Sequence, residues 1–355
     1  MPDPLRVAYT LEQCWHDVPG GSAVAALEVY HRLRQRTDVE AIAVAGRHRR
    51  LPIDPYRPDG TVHHLPISRP LLYDAWNRLG RPRTESATGP VDVCHSTVAI
   101  PAPSRAPSVV TVHDVAFVHT PERFSRRGVM VMRRGLERCR TADLVLCPSR
   151  TTADDLAELG FDPSRLRIVP WGVDRIEVTP GDVERVRDTY SLPEAFVLFV
   201  GTLEPRKNLA GLARAMSEVP DLPLVVAGAD GWGAASDGVD AQFVGFVPAE
   251  DLRPLMAAAT VFAYPSLEEG FGLPVLEAMA QGVPVVTSRG TATEDVAGGA
   301  AVLADPTDPS AIAAAIIEAA SDRRTWSVRG MERASACTWD ATVEATVAAY
   351  REVAR

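Results

Sequence analysis

The chain has 355 residues, 46% of them apolar and 23% charged, with a formal net charge of −9. These are the proportions of a globular protein, at a length comfortable for two domains. No apolar run approaches the roughly 20 residues of a membrane-spanning helix, and the acidic balance argues against a nucleic-acid partner.

Met1-Pro2-Asp3-Pro4-Leu5-Arg6 lacks the basic and then apolar layout of a signal peptide. The five cysteines (Cys14, Cys94, Cys139, Cys147, Cys337) are scattered and never in Cys-x-x-Cys spacing. They predict free thiols in a reducing cytoplasm, without a disulfide frame or zinc site. Charge is unevenly spread: residues 1–172 hold 23 arginines against 19 acids, and residues 173–355 hold 14 basic residues against 27 acids. A basic first half suits an anionic surface or a phosphorylated substrate.

In chain order, strands are predicted near 6–9, 40–45, 91–95, 109–113, 144–147 and 167–170, with helices over 22–36, 126–138 and 149–159. The stretch 47–89, rich in Pro, Arg and Gly, predicts loops with at most one short helix. The helix over 126–138 mixes arginines with apolar residues. It predicts a domain helix with its arginines in water; the alternative is weak peripheral contact with anionic lipid at the inner face of the membrane.

Residues 174–192 are polar, include Pro180-Gly181 and predict a linker. A second series follows, with strands near 197–201, 224–228, 242–246, 261–264, 283–287 and 301–303 and helices over 209–217, 250–258, 274–280 and 309–320. Strand–helix alternation on this scale predicts an α/β protein with parallel sheets covered on both faces. Because the series runs twice, we expect two doubly wound, Rossmann-like domains over 1–173 and 193–340, and a helix over 341–355 that packs back on the first. Ligands of such sheets bind beyond the carboxyl ends of the strands, so an interdomain cleft is the expected site.

Two stretches hold the chemistry. Of the 37 basic residues 36 are arginine, and the single lysine, Lys207, lies in Gly201-Thr202-Leu203-Glu204-Pro205-Arg206-Lys207-Asn208, directly after an apolar strand. A planar guanidinium beside a compact ammonium suits a phosphate or diphosphate. The second stretch is Glu269-Gly270-Phe271-Gly272-Leu273-Pro274-Val275-Leu276-Glu277, between a buried-looking strand and a helix. Its glycines let the backbone approach a ligand, and the helix start offers N–H groups and positive dipole to an anion. Glu269 precedes the loop and Glu277 is expected in the first helical turn, each suited to hydroxyls of a ligand.

These residues, with Gly20-Gly21 before an early helix, resemble the GT-B retaining glycosyltransferases of family 4. The likeness covers nearly the full length, is densest over 197–308 and loosest over 47–90. It implies that Arg206 and Lys207 bind the diphosphate of a nucleotide-sugar, Glu269 holds donor-sugar hydroxyls and Glu277 the ribose. Gly21 and Gly201 would approach the phosphates, the backbone near Phe246 would line the base pocket, and Gly270, Phe271, Gly272 and Leu273 would form the donor loop. His113, at the end of the strand over 109–113, would orient the donor sugar. Trp171 departs from the family, which often has asparagine there, and that touches the detail of the crossover at 169–174.

There is no Asp-x-Asp, no phosphate-binding GxxxxGK[ST] and no GxGxxG after the first strand. The expectation is metal-independent transfer without a cofactor, the leaving charge being met by Arg206, Lys207 and a helix dipole. The resemblance favours GDP-mannose as donor, with a UDP-sugar as the nearest alternative. The acceptor would be a hydroxyl of a glycan, a lipid-linked saccharide or a small molecule. Two other readings remain open on sequence: a nucleotide-sugar epimerase on the same fold, and a non-catalytic sugar-nucleotide-binding partner subunit.

Overall fold

The computed structural model describes residues 3–16, 19–69, 71–228 and 238–354. Met1-Pro2, on which the leader reading begins, lies outside them. The chain divides into two compact units, the first formed by Met1–Trp171 with Trp339–Arg355, the second by Gly172–Thr338.

Unit 1 contains seven parallel strands: β1 (Leu5–Thr10), β2 (Val39–Ala45), β3 (Val62–His64), β4 (Val93–Ser96), β5 (Ser108–Thr111), β6 (Leu144–Cys147) and β7 (Leu166–Ile168), in the order β3-β2-β1-β4-β5-β6-β7. Its helices are α1 (Gly20–Leu33), α2 (Leu71–Leu79), α3 (Glu85–Thr88), α4 (Ala116–His119), α5 (Arg126–Cys139) and α6 (Arg150–Glu158). β4 and β6 are buried throughout, as expected of parallel strands covered on both faces. One core groups Val110, Val112, Phe117, Leu136, Val145 and Leu156; another groups Leu72, Trp76, Cys94 and Ile100.

Unit 2 opens with α7 (Pro180–Tyr190) and continues through β8 (Val197–Val200), α8 (Leu209–Met216), β9 (Leu224–Ala227), β10 (Gln242–Gly245), α9 (Ala249–Ala258), β11 (Val261–Tyr264), α10 (Leu273–Ala280), β12 (Val285–Ser288), α11 (Ala292–Ala297), β13 (Val302–Ala304), α12 (Pro309–Ser321) and α13 (Arg323–Ala336). Its six strands are parallel in the order β10-β9-β8-β11-β12-β13. The order reverses between β8 and β11, so their carboxyl ends flank the crevice where doubly wound sheets take ligands. The expected α/β class with two doubly wound parallel sheets is what the structure shows.

The chain ends in α14 (Trp339–Val353), which belongs to unit 1 and packs against α1. Arg32 reaches Asp340 at 3.3 Å, and Arg36 and Arg351 pair with Glu344 and Asp38. Inside, the Tyr350 hydroxyl meets His95 Nδ1 at 2.6 Å, while His95 Nε2 meets Thr111 at 2.8 Å.

Several elements differ from expectation. The polar stretch read as a linker contains α7, whose Thr179 and Asp182 form a reciprocal capping box with Pro180 in the first turn. Only Val186 of that helix is buried, so its apolar pattern is nearly blank. Within 47–89 the structure has β3, α2 and α3 instead of loops with at most one helix. α13 was also unforeseen; it buries only Gly330 and Ala334 and starts from an Asp322 cap. In α5, Gly135, Leu136 and Cys139 are buried while Arg126, Arg127, Arg133 and Arg134 are exposed, the arrangement of a domain helix.

Candidate active site

The site in unit 2 starts from strand ends. β8 runs Val-Leu-Phe-Val, wholly buried, and stops at Gly201. The chain then turns through Pro205–Lys207, and Asn208 closes the turn in the left-handed conformation at φ +60°. The Asn208 side chain fixes that turn by donating to the Pro265 carbonyl at 3.0 Å and the Pro306 carbonyl at 2.6 Å. Left-handed backbone is uncommon for a residue with a side chain, and asparagine tolerates it best.

The turn and the loop after β11 are tied together. Leu267 N–H donates to the Arg206 carbonyl at 2.8 Å, and the Arg206 guanidinium to the Glu268 carbonyl at 3.2 Å. Arg206 Nη1 stands 2.9 Å from Glu269 Oε2, and Lys207 Nζ 3.4 Å from Glu269 Oε1. Tyr264 and Ser266 each donate a hydroxyl to Glu269 Oε1, at 2.8 and 3.0 Å. Glu204 takes the other side of the guanidinium, 2.8 Å from Arg206 Nε, and accepts from the Thr202 hydroxyl at 2.6 Å. Lys207 Nζ donates to the Tyr264 hydroxyl at 2.5 Å.

Glu269 is thus no solvated loop acid but a buried carboxylate among cations. Burial alone would raise its pKa; Lys207 and Arg206 outweigh that and hold it at about 2. Burial likewise works against the Lys207 ammonium, but Glu269 and Tyr264 more than compensate and its pKa is raised. The Tyr264 phenol is pushed up to about 12 by burial and then by Glu269. At neutral pH the Lys207 ammonium therefore faces the Glu269 carboxylate across a neutral phenol that can accept and donate at once.

Gly201 is needed by this cluster: a Cβ there would stand 3.0 Å from Lys207 Cδ and 3.2 Å from Nζ. Gly272 opens α10 at φ +97°, where a Cβ would meet Thr293 Cγ2 at 2.6 Å. Gly270 is buried, and Phe271 and Leu273 pack inward at 4% and 7% exposure, so those two anchor the loop. Because α10 begins at Leu273, Glu277 falls in its second turn and not the first. Phe246, just beyond the edge strand β10, is 69% exposed.

The structure therefore brings Gly201, Arg206, Lys207 and Glu269 into one cluster. Sequence reasoning missed Glu204 and Tyr264. Glu204 lies two residues before Arg206, a spacing that could have flagged it. Tyr264 reads as ordinary strand core, and nothing in the pattern marks its hydroxyl.

Unit 1 holds the remaining candidates. Gly21 is exposed in the first turn of α1, beside the left-handed Gly20 at φ +65°. His113 donates from Nε2 to the Thr97 carbonyl at 2.7 Å; its Nδ1 is buried without a hydrogen-bond partner. Burial lowers the His113 pKa, against the support of Thr97 and Asp114. The ring is neutral at physiological pH, its Nδ1 offering only a lone pair. Trp171 stands edge-on to it at 5.3 Å. A cavity of about 30 Å³ lies beside both, lined also by Tyr9, His95, Thr111 and Thr346, enough for about one water. His95, sandwiched by Tyr350 and Thr111, is held by burial at about 3.

Among the described residues no helix is long and apolar enough to cross a membrane, and no group of three or more His, Cys, Asp or Glu could hold a metal ion.

Comparison with known proteins agrees with the resemblance. The model described as Glycosyltransferase Family 4 matches residues 19–176, and that described as Glycosyl transferases group 1 matches residues 194–322. The O-antigen chain mannosyltransferase B of Escherichia coli is 35% identical over 269 residues, 69% of this chain and 70% of the relative. A D-inositol 3-phosphate glycosyltransferase of Geodermatophilus obscurus is 36% identical over 233 residues; the match takes in 57% of this chain and only 52% of that relative. Among solved structures, Anabaena Alr3699/HepE in complex with UDP and glucose superposes with a TM-score of 0.73 at 18% identity, over 98% of this chain and 100% of that one. WaaG, a glycosyltransferase involved in lipopolysaccharide biosynthesis, gives 0.72 at 16% identity, over 98% and 99%. At such identities the likeness shows the fold, two Rossmann-like domains of the GT-B class. With both halves matched and a relative of 35% identity covered over 70% of its length, the chain belongs to glycosyltransferase family 4.

Proposed function

We propose that the protein is a retaining, metal-independent hexosyltransferase that moves mannose from GDP-mannose to a hydroxyl of a glycan, a lipid-linked saccharide or a small molecule. The observation behind this is the largely buried cluster of Arg206, Lys207 and Glu269 at the carboxyl ends of β8 and β11. A guanidinium fork and an ammonium at that crevice suit the leaving diphosphate, whose charge grows as the glycosidic bond breaks. Exposed Phe246 offers a face to a nucleobase, and Glu277 on α10 offers acceptors for a ribose.

For Glu269 the lone-pair count is informative. A carboxylate has about four acceptor positions; Tyr264, Ser266 and Arg206 occupy three, leaving one on Oε2 for a donor-sugar hydroxyl. His113, neutral and held through Nε2, is suited to orient a sugar and not to carry a proton away. With no second carboxylate assigned as a nucleophile, we propose a same-face path in which the leaving phosphate helps deprotonate the acceptor, so that configuration is kept.

Mannose is favoured because the mannosyltransferase relative matches over most of both chains. A UDP-sugar is the alternative, since structural neighbours hold UDP and glucose. Contact of unit 1 with anionic lipid remains part of the proposal only for a lipid-linked acceptor, supported by the exposed arginines of α5. The test is release of free nucleoside diphosphate from GDP-mannose, UDP-glucose and UDP-N-acetylglucosamine, with and without candidate acceptor saccharides. Release that requires acceptor, with an α-linked product by NMR, supports the reading. Conversion of the donor sugar without acceptor would instead mark an epimerase, and binding without turnover a partner subunit.

A further inference from the structure

Tyr264 ends β11 with its side chain fully buried, between strands β8 and β12 that both pair with its own. Its ring stacks on Phe199 at 6.0 Å and Phe262 at 5.9 Å, so the phenol has little freedom. Phenylalanine would fill the same place and complete an apolar Val-Phe-Ala-Phe strand. A buried hydroxyl costs stability unless it is hydrogen-bonded. Here both of its bonds go to the site, one accepted from Lys207 Nζ at 2.5 Å and one donated to Glu269 Oε1 at 2.8 Å.

We propose that Tyr264 is a positioning residue for the donor's leaving phosphate, its hydroxyl holding the Lys207 ammonium in a fixed place between Glu269 and the ligand. The inference rests on the reading of this cluster as the nucleotide-sugar site. Lysine needs such a guide: its charge sits at the end of a flexible four-carbon stem, whereas a guanidinium fork is oriented by its own shape. Glu269 alone does not supply it, since its nearest oxygen lies 3.4 Å from Nζ, an ion pair longer than a good hydrogen bond. The hydroxyl takes one ammonium hydrogen and Glu269 faces a second, which leaves the third for a phosphate oxygen. By donating to Glu269 at the same time, the phenol keeps the carboxylate from closing on the ammonium and displacing the ligand.

The test is a double-mutant cycle on the full chain with GDP and UDP as probes. Tyr264→Phe keeps the ring and removes both hydrogen bonds. Loss of one hydrogen bond to a charged group corresponds to about tenfold or more in affinity. We expect Tyr264→Phe to weaken nucleoside diphosphate binding about tenfold, and to do nothing further in a Lys207→Met background. The alkaline limb of its pH–rate profile should move to lower pH, because the ammonium has lost an acceptor. Phe199→Leu, which loosens the same ring without touching the hydroxyl, should lower thermal stability and leave affinity and pH profile alone. Binding by Tyr264→Phe within about twofold of wild type, or an equal loss in both backgrounds, overturns the proposal. Should wild type bind neither nucleotide, the donor-site reading fails and takes this inference with it. Nucleotide binding by wild type that is lost in Lys207→Met but intact in Tyr264→Phe rejects the positioning role alone.

Discussion

Arg206 and Glu269 stand 2.9 Å apart with both side chains largely buried, and the same carboxylate faces Lys207 from its other oxygen. One residue comes from the turn after β8 and the other from the loop after β11, so the pair ties two strands at the point where the sheet order reverses. Its stability value and its ligand value pull in different directions. Removing one partner of a buried pair leaves the other charge uncompensated, at roughly 3–5 kcal/mol. A diphosphate bound as proposed would, however, compete with Glu269 for the same cations.

Glu269→Gln should therefore split stability from affinity. The expected outcome is a loss of about 3 kcal/mol in urea unfolding of the ligand-free protein, with affinity for nucleoside diphosphate unchanged or higher. Transfer should still fall, since the acceptor position for the donor sugar is altered. Calorimetric titration beside steady-state rates separates the two; weaker nucleotide binding together with unchanged transfer would contradict this division of roles.

Acid should weaken the two units in different pH windows. Glu269 is held at about 2 against an ordinary 4.5, so its contribution to unit 2 is complete above about 4.5 and is lost as pH falls toward 2. His95 is held at about 3 against an ordinary 6.5. The unfolded chain then binds the proton first, and unit 1 loses stability as pH drops below about 6.5. Because His95 touches Tyr350, α14 should show the loss. Hydrogen exchange followed from pH 7.5 downward is expected to lose protection in α14 well before α10. Loss in α10 first would refute the assignment.

These groups also mark how far the sequence can be read. Alternation of short apolar runs with helical spacing was enough for both sheets, because parallel strands buried on two faces are almost uniformly apolar, as in β6 and β8. α7 and α13 were invisible to that signal: each buries one or two residues, and only a cap marks its start. At the site, Arg206, Lys207 and Glu269 stood out by type and position. The contacts of Tyr264 did not, because it follows the strand pattern and its role depends on which groups the fold sets against its hydroxyl. The contacts of His95 are likewise hidden in the sequence, its partner Tyr350 lying far away in the chain.

The charge neutralisation proposed for Arg206 and Lys207 predicts that transfer tolerates metal removal. Activity measured with excess chelator should equal that in magnesium. Activity abolished by chelator and restored by a divalent cation would move the work of meeting the leaving phosphate away from these side chains. The Lys207→Ala enzyme is then the companion measurement. It should lose on the order of 3 kcal/mol of transition-state stabilisation, as when one oxyanion donor is removed.

Gly201 gives the most selective probe of the Lys207 position, because it lies beneath that side chain without bearing a functional group. A methyl there would stand 3.0 Å from Cδ and 3.2 Å from Nζ. The nearest atoms belong to a flexible side chain, so the fold can yield by moving the lysine. Gly201 also sits at φ +157°, where a side chain is strained, so Gly201→Ala should cost more stability than an ordinary glycine–alanine exchange. Its transfer is compared with wild type at a temperature where urea unfolding shows the variant still folded. Its ammonium, displaced from Tyr264 and Glu269, should no longer meet a diphosphate, and transfer should fall at least tenfold. Gly181→Ala is the control: it lies in α7, and its new methyl would meet only the Thr179 hydroxyl at 3.8 Å. That variant should keep full activity. Gly201→Ala with wild-type transfer would mean that the exact place of Nζ is unimportant, and would count against both the diphosphate role of Lys207 and its guidance by Tyr264.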